Sequence, residues 1–556
     1  MSITAPPAPA PTGSLAGRRI VFRCDASQRI GSGHVMRCLT LAGHLRQQQA
    51  ECLFVCREHP GHLLALIRAR GFVALALPAP TEQATAGADS SLAHADWLGV
   101  AQEQDAQECL AALQAAAMLT APIDWLVVDH YALDHRWERL LRPYCRRLLV
   151  IDDLADRAHD CDLLLDQNLG RTPADYAAQL PALAIRLIGP RYALLREEFA
   201  AWRSASLARH RSQPPEHLLI ALGGVDQDNL SGQLLAQLEH CALPATCRVT
   251  VVLGRNAPHL AALRRQASQL ARPCQVLAGI DNMAEVLASC DLALGAAGGS
   301  AWERVALGVP TLLLILADNQ RDGAAALVEH GLAIALTGPE KLADGMATYA
   351  RQAAQLQQKL NPPPNDDNLL IDAQGCRRIG QRLHALLQPL TIRPANAADE
   401  ALLLAWANDP KTRANAFNPR PIAAAEHHGW LQRVLAEPAR HRLFILQHAD
   451  GQALGQIRFD RRPDAAGNGD AWELSYALAP ATRGQSLGAR LIAEGCEALW
   501  QALGPQRILA RTLADNLTSR QTLGSLGFGE TECEQGHRHF VLQPDRPLER
   551  PDHANY

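Results

Sequence analysis

The chain has 556 residues, too many for one ordinary core; domains of about 100–200 residues make three packed units the natural expectation. Apolar residues make up 48% and charged residues 20%, a globular composition, and 53 Lys and Arg stand against 57 Asp and Glu. That balance argues against a nucleic-acid binder, which carries a basic excess, and the 14 scattered cysteines, with no Cys-x-x-Cys, point to neither a disulfide framework nor a zinc site.

Residues 1–17, MSITAPPAPAPTGSLAG, lack a basic start and an apolar stretch, and read as a disordered leader rather than a signal peptide. From Arg18, RRIVFRCD predicts a strand, QRIGSGH a glycine loop and VMRCLTLAGHLRQQQ an amphipathic helix. ECLFVCRE and HLLALIRARG repeat the strand–helix order, and DWLVVDHY and RRLLVIDD are apolar runs ending in acidic residues. Strands alternating with helices predict a parallel sheet whose strand ends open onto a site. A charged connector, 190–216, precedes five more short apolar runs: HLLIALGG, CRVTVVLG, CQVLAG, CDLALGAAGG and PTLLLIL. These predict a second lobe over 196–388 beside a first over 18–195, with a cleft between two Rossmann-like lobes. NPPPNDDN reads as a turn, and the helix DAQGCRRIGQRLHALL is expected to close the second lobe. A fresh start at TIRPANAADE leads into a compact α+β domain over 390–544, then a tail over 545–556. The apolar runs are too short to span a bilayer, so a soluble, cytoplasmic protein without a membrane partner is expected.

Two motifs carry the chemistry of the first two lobes. Gly31-Ser32-Gly33-His34 lies between strand and helix, where glycines let a ligand approach the backbone and a helix start favours an anion. The dipole there disfavours an added proton, so His34 is a candidate neutral general base toward water; it is otherwise a capping or packing histidine. Downstream, Gly298, Gly299 and Ser300 open a helix with Glu303 one turn in, offering N–H groups to a pyrophosphate and a carboxylate to ribose hydroxyls. The plainer alternative is a tight turn and a solvated glutamate.

The stretch from Arg18 to about Leu387 resembles the UDP-sugar hydrolases of the pseudaminic-acid pathway, GT-B-fold relatives of the MurG-type glycosyltransferases. The resemblance rests on FRCDASQRIGSGHVMRCLTLA, VVDHYALD, RYALLREEF, LGGVDQDNL, GAAGGSAWERVALGVPTLLLILADNQ and DAQGCRRIG, in the family's order. It implies hydrolysis of UDP-2,4-diacetamido-2,4,6-trideoxy-β-L-altropyranose to UDP and free sugar, with His34 as base; the residues themselves suggest no tight divalent site, so no metal is expected. Asp25 and Tyr131 would then line the sugar side, with Gly31 and Gly33 as substrate contacts of the glycine loop. Ser300, Glu303 and the segment Asp318-Asn319-Gln320, with Asn319 as a contact, would line the nucleotide-facing lobe.

In the third domain, Arg483-Gly484-Gln485-Ser486-Leu487-Gly488 follows a strand and precedes a helix. It resembles the Gcn5-related (GNAT) acetyltransferase signature, whose turn takes the CoA pyrophosphate on backbone amides. NLTSRQTLGSLGF resembles the family's second half, with Asn516 facing acetyl-CoA, the implied cosubstrate. On the substrate side the resemblance is to ribosomal-protein and nucleotide-aminosugar acetyltransferases, and makes Asn408, Arg413, Phe417 and His427 candidates; each is equally readable as a packing or capping residue. Where many members carry a tyrosine acid, Leu523 stands, and Glu473 is a candidate for deprotonating the amine through water. The joint expectation is acetylation of a UDP-4-amino sugar followed by removal of UDP. The alternatives are a glycosyltransferase fused to a protein N-acetyltransferase, and a module that binds UDP-sugar or acetyl-CoA without turnover.

Overall fold

In a computed structural model, residues 14–80, 92–181, 184–209, 211, 213–316, 320–361, 371–449, 451–463, 470–483, 487–534, 537–544 and 548 are described. Leu15 is fully buried and its N–H is bonded to the Gln48 carbonyl, so packing starts three residues before Arg18. The chain divides at His384/Ala385 into two compact units.

The first unit holds two parallel sheets. The runs read as strands form β1 (Arg19–Cys24), β2 (Glu51–Arg57), β4 (Ile123–Asp129) and β5 (Cys145–Ile151), joined by β3 (Val73–Leu77), β6 (Leu163–Asp166) and β7 (Ile185–Ile188). Their order is β3-β2-β1-β4-β5-β6-β7. β4 is buried at every residue, as a strand covered by helices on both faces must be. The chain runs outward from β1 to β3 and then returns to β4 beside β1, which opens a crevice at the carboxyl ends of β1 and β4. The second sheet comprises β8 (His217–Ala221), β9 (Arg248–Leu253), β10 (Cys274–Ala278), β11 (Leu292–Ala296), β12 (Thr311–Leu314) and β13 (Ile334–Leu336). Its order, β10-β9-β8-β11-β12-β13, places the same crevice between β8 and β11.

The helix Gly375–Leu387 departs from expectation. It packs on the first lobe: the Trp125 indole N–H donates to the Leu383 carbonyl, Arg378 donates to the Arg191 carbonyl, and Gly380 sits against Gln48. Its buried Cys376, Ile379 and Leu383 are an apolar face, and the first lobe rather than the second supplies the partner. The chain thus crosses back between lobes, tying them together.

The second unit is one mixed sheet, β14 (Leu390–Pro394), β15 (His441–His448), β16 (Ala453–Arg462), β17 (Ala471–Leu478), β18 (Ile508–Leu513), β19 (Gly529–Glu534) and β20 (His537–Leu542), ordered β14-β15-β16-β17-β18-β20-β19. Side chains of β15 alternate between two cores. Phe444 and Leu446 join the core under the helix Leu487–Leu503, while Leu443 and Ile445 face the helices Glu400–Ala407 and Ala424–Ala436. Gly495 lets the long helix approach the sheet, since a Cβ there would lie 2.6 Å from Ile457.

Candidate functional site

After β1 the chain turns at Gly31, whose φ of +79° suits a residue without a side chain, and enters the helix Gly33–Gln47. His34 thereby sits in the first helical turn beside the end of β4, where Asp129, His130 and Tyr131 follow one another. The His34 ring meets Tyr131 edge-on at 4.5 Å between centroids and lies 6.4 Å from both His130 and Trp97. It is 6% exposed, and its Nδ1 is buried without a hydrogen-bond partner. Burial presses its pKa to about 4; the Asp129 carboxylate pulls upward, and Arg37 and His130 push further down. The imidazole is neutral at pH 7, as the helix dipole suggested, but burial is the larger cause.

Tyr131 donates from its hydroxyl to Asp153 Oδ2 at 2.7 Å, and burial beside that carboxylate pushes its phenol upward, keeping it protonated. Arg37 spans the base of this wall, binding Asp153 at 2.5 Å and Asp129 at 2.6 and 2.7 Å. Trp97 stacks near Tyr131 at 5.7 Å and extends the aromatic surface. Asp25 lies behind the wall: fully buried, it pairs with Arg23 at 2.8 Å and accepts the Arg57 backbone N–H at 2.7 Å. His130 Nδ1 accepts from the Ala132 N–H, so its proton resides on Nε2, 3.3 Å from Asp25.

The opposite wall comes from loops after β8 and β11. Gly254 approaches Gly224 so closely that a Cβ would lie 2.4 Å from the Gly224 carbonyl oxygen. Gly298 and Gly299 lead into the helix Ser300–Ala306, which carries Glu303. Burial raises the Glu303 carboxyl to about 7, against the pull of Arg196 and Arg304, and among the described residues it has no hydrogen-bond partner. Gln320 reaches the same loop, its side-chain nitrogen 3.5 Å from where a Gly298 Cβ would be. Asp318 and Asn319 lie outside the described residues. Together the walls enclose a cleft of about 810 Å³, lined by Gly33, His34, Trp97, Tyr131 and Asp153 on one side and Gly223, Gly224, Gly298–Ser300 and Glu303 on the other. That volume lies within the range of small-molecule sites. Neither Gly31 nor Asp25 lines it; Gly31 shapes the turn that presents His34. Among the described residues no three His, Cys, Asp or Glu side chains gather as metal ligands.

In the second unit, β17 and β18 pair in parallel only from Trp472↔Ile508 to Leu474↔Ala510, while β17 stays paired with β16 along its whole length. The strands part beyond Leu474, leaving a fork. Tyr476 stands in it, its hydroxyl 2.9 Å from Ser519 Oγ, with the start of the helix Leu487–Leu503 alongside: a Gly488 Cβ would lie 3.7 Å from the Tyr476 ring. Leu487 is buried in the core, and Gly484, Gln485 and Ser486 lie outside the described residues. Arg483 is held by Asp409 at 2.5 Å and Thr412 at 2.7 Å. Asn516 caps the helix Leu517–Ser525 by accepting the Ser519 N–H. Asn408 exchanges two hydrogen bonds with Ile422, pinning the intervening loop, whose Asn418 and Arg420 carbonyls accept from Arg413. Phe417 is half exposed, edge-on to His537 at 4.7 Å with Arg511 over its ring. His427 is buried beside Trp430, and burial lowers its pKa. Glu473 binds Arg462 and Arg511, and Leu523 is buried in the core.

Asp153, Trp97 and Tyr476 were not among the predicted site residues. The doubled aspartate closing RRLLVIDD was the available signal for Asp153; Trp97 and Tyr476 sit in no distinctive pattern.

Residues 389–529 match the acetyltransferase (GNAT) domain family, and residues 217–366 match the glycosyltransferase family 28 C-terminal domain. The UDP-2,4-diacetamido-2,4,6-trideoxy-beta-L-altropyranose hydrolase of Campylobacter jejuni is 24% identical over 313 residues, which cover 56% of this chain and 97% of that protein. The uncharacterized protein MJ1062 of Methanocaldococcus jannaschii is 21% identical over 422 residues, 74% of this chain and 77% of its own length. The crystal structure of MurG from Acinetobacter baumannii aligns at 14% identity with a TM-score of 0.45, covering 66% of this chain and 99% of MurG. The chain joins a two-lobed unit, whose second lobe is of the glycosyltransferase family 28 type, to a GNAT acetyltransferase domain.

Proposed function

We propose that this chain is a bifunctional enzyme of nonulosonic-acid biosynthesis. Its GNAT domain acetylates the 4-amino group of a UDP-amino sugar with acetyl-CoA, and its two-lobed unit hydrolyses the resulting UDP-2,4-diacetamido-2,4,6-trideoxy-β-L-altropyranose to UDP and free sugar. The observation that carries the hydrolase reading is a buried, unprotonated imidazole on one wall of a cleft whose other wall is two glycine loops. The named Campylobacter jejuni relative matches over nearly its full length and supports the same reaction.

In this reading the nucleotide lies against Gly223, Gly224 and Gly298–Ser300, with Glu303 accepting from the ribose hydroxyls. His34 takes a proton from water as the water oxygen bonds to the anomeric carbon, and UDP departs with the electron pair of the broken C–O bond. Tyr131, oriented by Asp153, faces the sugar. In the GNAT domain the fork at Tyr476 and the helix start at Gly488 fit acetyl-CoA. The amine attacks the thioester carbonyl and the thiolate leaves. Leu523 cannot supply a proton, and the Tyr476–Ser519 hydroxyl pair can. Tyr476→Phe is expected to lower acetyl transfer by about 10²-fold at saturating acetyl-CoA. Unchanged turnover, followed by thiol release, would remove Tyr476 from the reaction. Where both substrates are made in the cytoplasm, the protein belongs there too; among the described residues no helix is long and apolar enough to cross a membrane.

A second reading, transfer of the sugar to an acceptor, is favoured by the glycosyltransferase family 28 match. One experiment separates the two. The purified chain receives the UDP-4-amino sugar with and without acetyl-CoA, and products are followed by mass spectrometry. Free diacetamido sugar and UDP, formed only with acetyl-CoA, are expected. Accumulation of acetylated UDP-sugar would refute the hydrolase and point to a missing acceptor.

A further inference from the structure

Beside the second lobe's glycine loop, Arg304 is a buried cation to which the proposed mechanism gives no task. It lies on the helix Ser300–Ala306, one residue past Glu303, and is 2% exposed. Its guanidinium donates to the Ala296 carbonyl at 2.5 Å and to Ser300 Oγ at 3.1 Å, so it spans both ends of the loop that holds Gly298 and Gly299. Gly295 makes room for it: a Cβ there would lie 2.5 Å from Arg304 Cζ. Among the described residues it forms no ion pair and its Nε is buried without a partner; Glu303, the preceding residue, offsets part of the burial through space without binding it. Burial lowers its pKa to about 10, which still leaves it charged at pH 7.

A buried guanidinium with no carboxylate bound to it is costly, and charge of this kind persists where something compensates it. The loop it spans, Gly298–Ser300, lines the cleft, while Arg304 itself does not. We infer that Arg304 is a positioning residue for the leaving group: it holds the Ala296–Ser300 loop from behind and supplies a fixed positive charge to the diphosphate of the bound nucleotide. The inference rests on the nucleotide reading proposed above. As the anomeric C–O bond breaks, its electron pair moves onto the phosphate oxygen, and the diphosphate gains negative charge. A preformed cation is therefore worth more late in the reaction than in the ground state. Uridine, which carries no phosphate, has nothing for Arg304 to recognise.

The test measures UDP and uridine binding to the full chain by titration calorimetry. In Arg304→Gln, which keeps a donor for the loop but loses the charge, UDP affinity is expected to fall about 10- to 100-fold while uridine affinity stays within about twofold. Hydrolytic kcat should fall by more than KM rises. Arg304→Lys should bind UDP better than Arg304→Gln. Because a buried ammonium titrates far more readily than a guanidinium, its UDP affinity relative to wild type should weaken from pH 6 to 9 while uridine binding does not follow. Equal weakening of both ligands in Arg304→Gln, or no weakening, overturns the inference. Should Arg304→Gln not fold, a pH-independent ratio in Arg304→Lys overturns it alone. A wild-type chain with no affinity for UDP overturns the nucleotide reading itself, and this inference with it.

Discussion

His34→Ala is expected to lose UDP-sugar hydrolysis by about 10³-fold, within the range a positioned base contributes, while keeping UDP affinity within about twofold. The separation follows from placement. His34 belongs to the first-lobe wall, and the loops proposed to hold the nucleotide belong to the second. The imidazole is held only by packing against Tyr131 and its neighbours, and its Nδ1 has no protein partner to lose. Alanine therefore removes a proton acceptor without stranding another polar group. The pH profile makes the assignment sharper. The base works when unprotonated, and burial places its pKa at about 4. The acidic limb of kcat/KM should lie near pH 4, with activity lost as pH falls through it, rather than near the 6.5 of a solvated histidine. Near-normal turnover in His34→Ala, or an acidic limb at pH 6–7 that survives the substitution, would assign the proton transfer elsewhere.

The strands legible in the sequence were those long and apolar enough to be buried on both faces, such as DWLVVD and RRLLVI. β3, β6, β7 and β13 escaped, since three to five residues carry no distinguishable period, whereas β8, β10 and β11, equally short, were legible because each apolar run closes on glycine. The helix Gly375–Leu387 shows the limit of pattern. Its apolar face was evident, but which lobe covers that face is a tertiary fact, fixed by Tyr192, Trp125 and Gln48, far away in the chain. In the cleft, His34 and Glu303 were readable because glycine loops announce exposure at a crevice, while Tyr131 came only through the resemblance to the UDP-sugar hydrolases. Asp25 stands at a similar strand end yet turns inward. Arg23, two residues earlier and so on the same face of the strand, pairs with it, and that i,i+2 spacing was present in the sequence. Asp153 and Arg304 depend on partners assembled by the fold, Tyr131 and Arg37 for one and the crossing over Gly295 for the other.

The polar layer beneath His34 leads to the second large effect. Asp105, on the helix Gln102–Ala115, is fully buried and accepts from Arg23 at 2.7 and 3.1 Å, from Arg57 at 2.6 Å and from the Trp137 indole at 2.9 Å. Burial alone would raise its carboxyl, but the two guanidiniums hold it below the usual range. Asp105→Ala removes the carboxylate and leaves both cations buried. Asp25 still faces Arg23 at 2.8 Å and Glu108 still faces Arg57 at 2.7 Å, so neither is wholly stranded, and a loss near the lower end of the 3–5 kcal/mol typical of a broken buried pair, about 3 kcal/mol, is expected. In a unit of roughly 380 residues, with about 2.1 cal/mol/K of unfolding entropy per residue, that corresponds to a fall of roughly 4 °C in its melting transition. Acetyl transfer provides the internal control, because the GNAT residues belong to the other compact unit. A transition within 2 °C of wild type would show that water or a shifted side chain replaces Asp105. Hydrolysis should fall as well, even well below the transition. Arg23 would draw more fully on Asp25, which also faces His130, and His130 in turn lies against His34. The charge layer that stabilises the first lobe and the wall that presents His34 are one structure, so weakening the first disturbs the second.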